Sequence, residues 1–129
     1  MRVLLTDDNE PVLREIRNLL TADFNVVGIA RNGHEMIAAS HQLQPDVIVT
    51  DIEMPEMSGI EAGREVLRTR PDVPIVLLTM HADRKLLEIA LEAGFRGYVL
   101  KLNAGKELPL AIYEVMAGRI FISPALRSQ

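Results

Sequence analysis

The sequence predicts an α/β fold: five βα units winding one parallel five-stranded sheet, with helices on both faces. Three observations predict it. Residues 3–6, 26–30, 47–50, 75–79 and 98–100 form short apolar runs, nearly continuous and rich in β-branched or aliphatic side chains. Strands buried on both faces read this way. The segments between the runs carry apolar residues at helical period, and strand and helix signals alternate along the whole chain. Five strands in such an arrangement favour the spatial order 2-1-3-4-5.

Each element has its own local reason. After the first run, Val12, Ile16, Leu19 and Leu20 share one helical face, with Pro11 near the start, where its missing N–H costs little. After the second run, His34 and His41 sit in helical context and read as surface residues. After the third, Ser58 and Glu61 have capping-box spacing and lead into Ile60, Gly63 and Leu67. Gly59 is expected to permit a tight turn and Gly63 close packing. After the fourth, Asp83 caps a helix carrying Leu86, Leu87, Ala90 and Leu91, which Gly94 ends. The last helix carries Leu108, Ile112, Val115 and Met116. Pro109 sets its expected start near Gly105, so that the proline falls in the first turn, whose N–H groups are unpaired anyway. Residues 1–118 read as one domain, and residues 119–129 as a tail that begins a linker.

Composition bounds the function. A chain of 129 residues with 48% hydrophobic and 25% charged content is a globular domain and not a disordered one. Without cysteine there is neither a disulfide framework nor a thiolate metal site. The longest apolar runs reach five or six residues, far short of a membrane span. The N-terminus meets Asp7 and Asp8 too early for a signal peptide, so a cytoplasmic protein is expected. Net charge is −4 and no Lys/Arg block stands out, so the domain by itself is a poor nucleic-acid binder.

The chemistry lies at the strand ends. The first run ends in Asp7-Asp8, the third in Asp51, the fourth in Thr79 and the fifth in Lys101. Ligands of an open α/β sheet bind beyond the carboxyl ends of the strands, where strand order reverses. Three carboxylates, a hydroxyl and an amine should therefore meet in one pocket. Three carboxylates need a counter-charge, and a hard divalent cation such as Mg²⁺ suits oxygen ligands. A carboxylate in that setting can attack phosphorus and form an aspartyl-phosphate. Phosphoryl transfer demands alignment and neutralisation of the equatorial oxygens, which the cation, Lys101 and the Thr79 hydroxyl could share. A lone Asp at a strand end is commonly a turn or cap residue, and Asp8-Asn9 could simply cap the first helix. The five groups together outweigh those readings.

Four motifs carry a family resemblance: Leu5-Thr6-Asp7-Asp8-Asn9; Asp51-Ile52-Glu53-Met54-Pro55 with Ser58-Gly59; Leu78-Thr79-Met80-His81; and Gly97-Tyr98-Val99-Leu100-Lys101. With them the chain resembles, over essentially its whole length, a two-component response-regulator receiver domain, a flavodoxin/CheY-like three-layer sandwich. The resemblance implies that Asp51 accepts a phosphoryl group from a sensor histidine kinase. It also implies that Asp8 and Asp51 hold Mg²⁺, with Asp7 acting through water and the backbone carbonyl of Glu53 completing the site. Thr79 and Tyr98 match the switch pair: Thr79 moves toward the phosphoryl group and Tyr98 fills the space left. Lys101 matches the phosphate-binding lysine, and the surface of the fourth helix, fifth strand and fifth helix changes as output. Met80, His81 and the side chain of Glu53 stand at the rim as access modulators.

The third and fourth motifs, with Ile122-Ser123-Pro124, resemble the NarL/FixJ subfamily. Its members usually continue into a helix-turn-helix domain, which implies that DNA is bound only through an effector domain outside this chain, and that phosphorylation favours a homodimer. The resemblance also implies a switch that catalyses only its own phosphorylation and slow dephosphorylation. Leu102 follows the lysine where many receivers carry proline, often with a cis bond, and a cis bond before leucine would cost about 2.5–4 kcal/mol. Two other readings stand beside this one: a hydrolase of the aspartyl-phosphate type, and a binding module of the same fold that is never phosphorylated. Asn103-Ala104-Gly105-Lys106 lacks the glycine spacing and the following Ser/Thr of a P-loop and is rejected as a nucleotide site.

Overall fold

A computed structural model describes residues 1–127. The strands are β1 (Arg2–Thr6), β2 (Asn25–Ala30), β3 (Val47–Asp51), β4 (Ile75–Thr79), β5 (Gly97–Leu100) and β6 (Phe121–Ile122). The helices are α1 (Glu10–Leu20), α2 (Gly33–Leu43), α3 (Gly59–Thr69), α4 (Arg84–Ala93), α5 (Ala104–Met116) and α6 (Pro124–Arg127), with a 3₁₀ turn, Lys101–Asn103, before α5. All strand pairs are parallel, in the order β2-β1-β3-β4-β5-β6. The five-stranded expectation is thus corrected to six. The added strand lies in the tail and has two residues, too few for any periodicity to register in sequence.

Alternation along the strands builds the layers. Val3, Leu5, Val47, Val49, Val76, Leu78 and Val99 face α1 and α5, packing on Leu13, Ile16, Leu108 and Ile112. Their neighbours Leu4, Ile48, Ile75, Leu77, Tyr98 and Leu100 face the other way, toward Met36, Ile60, Val66, Leu87 and Ala90 of α2, α3 and α4. Both faces are covered, which is why the runs read as continuous and not alternating. Among the described residues no helix is long and apolar enough to cross a membrane.

The caps follow the sequence closely. Asn9 opens α1 by accepting the Val12 N–H at 3.2 Å, Ser58 and Glu61 form both halves of a capping box on α3, and Asp83 caps α4. His34 and His41 are exposed on α2. The helix α5 begins at Ala104, one residue from the expected start near Gly105, but Pro109 then lies in its second turn and not its first. Its missing N–H leaves the Gly105 carbonyl without the usual intrahelical donor, and Gly105 is solvent-exposed, where that loss is cheap. The described chain has no cis peptide bond, so Lys101–Leu102 is trans.

Candidate functional site

Strand order reverses between β1 and β3, and the sheet delivers its polar groups to that crevice. Asp7 follows directly on β1, Asp51 is the last residue of β3, Thr79 the last of β4, and Lys101 the first after β5. With Asp8 they line one cavity of about 180 Å³, to which Asn9, Glu53 and Met80 also contribute. Asp7, Asp8 and Asp51 each offer a carboxylate oxygen within 4.8 Å of the others. The Lys101 ammonium stands 3.0 Å from Asp7 Oδ2 and 3.3 Å from Asp51 Oδ1.

The backbone around the site is tightly fixed. Asp7 is 1% exposed and its Oδ1 accepts the Asn9 N–H at 3.0 Å. This ties the acidic pair to the N-cap of α1. Asp8, by contrast, is exposed at the cavity mouth. On the other side, the Gly59 N–H donates to the Ile52 carbonyl at 2.8 Å. A Cβ on Gly59 would lie 1.9 Å from the Asp51 carbonyl oxygen, so only glycine lets the start of α3 approach the end of β3 this closely. The Thr50 hydroxyl donates to the same Asp51 carbonyl at 2.9 Å. Gly63 plays the packing part expected of it, against the Phe95 ring.

Electrostatics sets the site apart. Burial raises the Asp51 pKa above the ordinary carboxylate value; Lys101 pulls it down, Asp7 pushes it up, and the net direction is upward. Burial lowers the Lys101 pKa, but its contacts with Asp7 and Asp51 outweigh that and the net direction is upward. One ammonium faces three carboxylates, so the cavity has excess negative charge. The donors are all oxygen, with no His or Cys, which is the set a hard cation such as Mg²⁺ takes.

The rim and the switch pair are placed as follows. The Thr79 hydroxyl accepts the His81 N–H at 3.1 Å, which leaves its own proton available to donate. Tyr98 lies outside the cavity, 1% exposed within the core. Its hydroxyl has no hydrogen-bond partner of normal geometry among the described residues; burial raises its pKa, against a weaker opposing effect of the Thr79 side chain. The Tyr98 side chain is thus packed in the core and not turned out to solvent. Met80 is 60% exposed at the cavity. His81 does not line the cavity; its Nε2 stands 2.9 Å from Glu53 Oε1, both side chains being exposed. Two contributors escaped the sequence reading: Asn9 as a cavity residue and Thr50 as a fixer of the Asp51 carbonyl. Neither carries a signal that separates it from an ordinary cap or strand residue.

Residues 3–113 match the family described as response regulator receiver domain. Response regulator GacA of Pseudomonas viridiflava is 37% identical over 132 residues, a match that spans all of this chain and 61% of GacA. A LuxR-family two-component response regulator from Aurantimonas sp. SI85-9A1 superposes with a TM-score of 0.95 at 32% identity, covering 98% of this chain and 92% of that one. The RcsB response regulator of Salmonella typhimurium, solved for its DNA interaction, superposes with a TM-score of 0.91 at 30% identity, covering 99% of this chain and 68% of that one. The chain thus spans about three fifths of the length of the curated relatives it matches.

Proposed function

The chain belongs to the response regulator receiver domain family, and from that premise we propose that it is a phosphorylation switch whose acceptor is Asp51. An Asp51 carboxylate oxygen attacks the phosphorus of a phosphohistidine on a sensor kinase. An O–P bond forms, the P–N bond breaks, and the imidazole nitrogen leaves with the electron pair. The observation that carries this reading is the convergence of Asp7, Asp8 and Asp51 within 4.8 Å of one another, with the Lys101 ammonium against Asp7 and Asp51.

Each group has a task that its chemistry fits. Mg²⁺, held by Asp8 and Asp51 with Asp7 through water and the Glu53 backbone carbonyl, would supply charge neutralisation at a phosphoryl oxygen. Lys101 neutralises a second oxygen. Thr79 donates its free hydroxyl proton to a third. The side chains of Met80 and Glu53 stand at the mouth, with His81 outside it paired to Glu53, and the three set how readily donor and water enter. Tyr98 sits inward, the position the switch pair takes when Thr79 is drawn toward the phosphoryl group. Phosphorylation biases this packing over an alternative one, a population shift and not a new fold.

The relatives support a reading of the output. GacA and the RcsB protein are longer than this chain, and RcsB interacts with DNA. We assign DNA contact to an effector domain outside residues 1–129, with the surface of α4, β5 and α5 as the changed face and a homodimer as the phosphorylated form. The protein acts in the cytoplasm as a stoichiometric acceptor and not as a turnover phosphatase.

Acetyl phosphate with Mg²⁺ should label the protein to one phosphoryl group per chain, seen by intact-mass spectrometry. Asp51→Asn should abolish the label, and omission of Mg²⁺ should abolish it in the parent. Retained labelling of Asp51→Asn would refute the assignment.

A further inference from the structure

The tail does more than leave the domain. Residues 119–127 return to the sheet, and β6 extends it beyond β5, with Gly97 opposite Phe121 and Tyr98 opposite Ile122. The Phe121 N–H donates to the Arg96 carbonyl and the Ser123 N–H to the Tyr98 carbonyl, each at 2.9 Å. Ser123 is fully buried, and its hydroxyl donates to the Glu107 carboxylate on α5. Leu126 is 0% exposed and belongs to the same apolar cluster as Tyr98, Leu87, Ala90 and Leu100, against which Ile122 also packs. The segment is therefore bonded to the backbone of Tyr98 and packed in the cluster that receives its ring.

We propose that residues 121–126 are a brace that holds Tyr98 in its buried position, so that docking of this segment and phosphorylation of Asp51 favour one another. Shared volume and linkage tie the two together. Groups packed in one cluster do not contribute independently. If the segment leaves, Leu126 and Ile122 leave the cluster, and the ring loses the packing that keeps it inward. If the ring swings out, the cluster that holds Leu126 loses its largest side chain. Any influence of Asp51 on Tyr98, through Thr79, must then appear at Ser123 as well, because coupling between two sites is reciprocal. The second half of this proposal rests on Asp51 being the acceptor; the first does not.

The experiment has two arms accordingly. In a Tyr113→Phe background Tyr98 is the only tyrosine. With no phosphoryl donor present, acrylamide quenching of its fluorescence should rise severalfold in Leu126→Ala, under conditions where circular dichroism shows the variant folded. Equal quenching in the folded variant overturns the brace. The second arm uses the unmodified chain: amide hydrogen exchange with and without beryllofluoride and Mg²⁺. The Ser123 amide should exchange about tenfold more slowly with the phosphate mimic bound, within the usual range of coupling between sites. If the mimic perturbs Thr79 but leaves Ser123 unchanged, the coupling is overturned and the acceptor reading stands. If it perturbs neither, the acceptor reading fails and takes the coupling with it.

Discussion

At the carboxyl ends of the strands, three carboxylates share a cavity with one ammonium; at the amino ends, Arg2, Asp46 and Arg70 commit their polar groups to the backbone. Arg2 opens β1, where its N–H donates to Asp46 Oδ2 at 2.7 Å and its guanidinium to the Gln44 carbonyl at 2.8 Å. Arg70 donates to the Pro45 carbonyl at 2.9 Å. The amino end holds a cavity of about 430 Å³, larger than the 180 Å³ of the acidic site. Yet its charged lining, Asp46, Asp72, Arg70 and Arg96, balances acid against base. What separates the two cavities is not size but unbalanced buried charge, a cost that a fold keeps only where something else offsets it.

The largest expected effect comes from breaking the close approach that sets the carboxyl end. Gly59→Ala places a Cβ against the Asp51 backbone carbonyl, with Thr50 Oγ1 only 3.2 Å away, so the backbone must yield. We expect a loss of about 3 kcal/mol in urea unfolding, the upper part of the range for overpacking. Labelling from acetyl phosphate should slow as well, because Asp51 moves with its carbonyl. Parent-like stability and labelling would mean that the turn absorbs the methyl and does not position the acceptor.

Much of this asymmetry was legible in sequence, and the reason is physical. Parallel strands buried on both faces must be apolar throughout, so a polar residue at a strand's end is conspicuous; Asp7, Asp51, Thr79 and Lys101 stand out for that reason. The five long strands, the Ser58–Glu61 box and the Asp83 cap were readable because each depends on spacing within a few residues. What depends on distant partners was not. The two residues of β6 are specified by pairing with Gly97 and Tyr98, not by their own pattern. The depth of Asp7 relative to Asp8 was hidden too. In sequence the two are adjacent acids that nothing ranks by depth, whereas the fold buries Asp7 against Lys101 and leaves Asp8 at the mouth. Nor could sequence place Pro109 in the second turn of α5, since the helix start is set by the 3₁₀ turn after β5.

A smaller effect tests the charge imbalance itself. Lys101→Met removes the one cation that faces Asp7 and Asp51 among the described residues, while keeping most of the stem's volume. At neutral pH the variant should lose about 1–3 kcal/mol, the cost of leaving a buried polar group without its partner in a cavity that water can enter. The pH dependence has a definite sign. Asp51 already has a raised folded-state pKa, so its ionisation costs stability as pH rises above the ordinary carboxylate range, and loss of Lys101 enlarges that cost. The deficit should shrink as pH falls through the raised Asp51 pKa and the carboxyl is protonated. It should also shrink in strong alkali: the Lys101 pKa is raised in the fold, so its stabilisation is full below the unfolded value and is lost as pH rises through the folded one. Urea titrations across that range would read both limbs; a deficit independent of pH would mean that the methylene stem, and not the charge, matters.

The smallest effect belongs to the amino end. Asp46→Asn keeps an acceptor for the Arg2 N–H and changes only charge at an exposed position. Exposed charge contacts contribute roughly 0.2–1 kcal/mol, so unfolding should shift by less than about 1 kcal/mol and labelling of Asp51 should keep its parent rate. Asp46 directly precedes β3, and Asp51 ends it. The two aspartates thus bracket one five-residue strand, and neutralising them should give opposite kinds of result: loss of phosphate acceptance at one end, a slight change in stability at the other. If Asp46→Asn slowed labelling while leaving stability intact, charge at the amino ends would be acting on the site across the length of the sheet, and the division between a bracing end and a reacting end would fail.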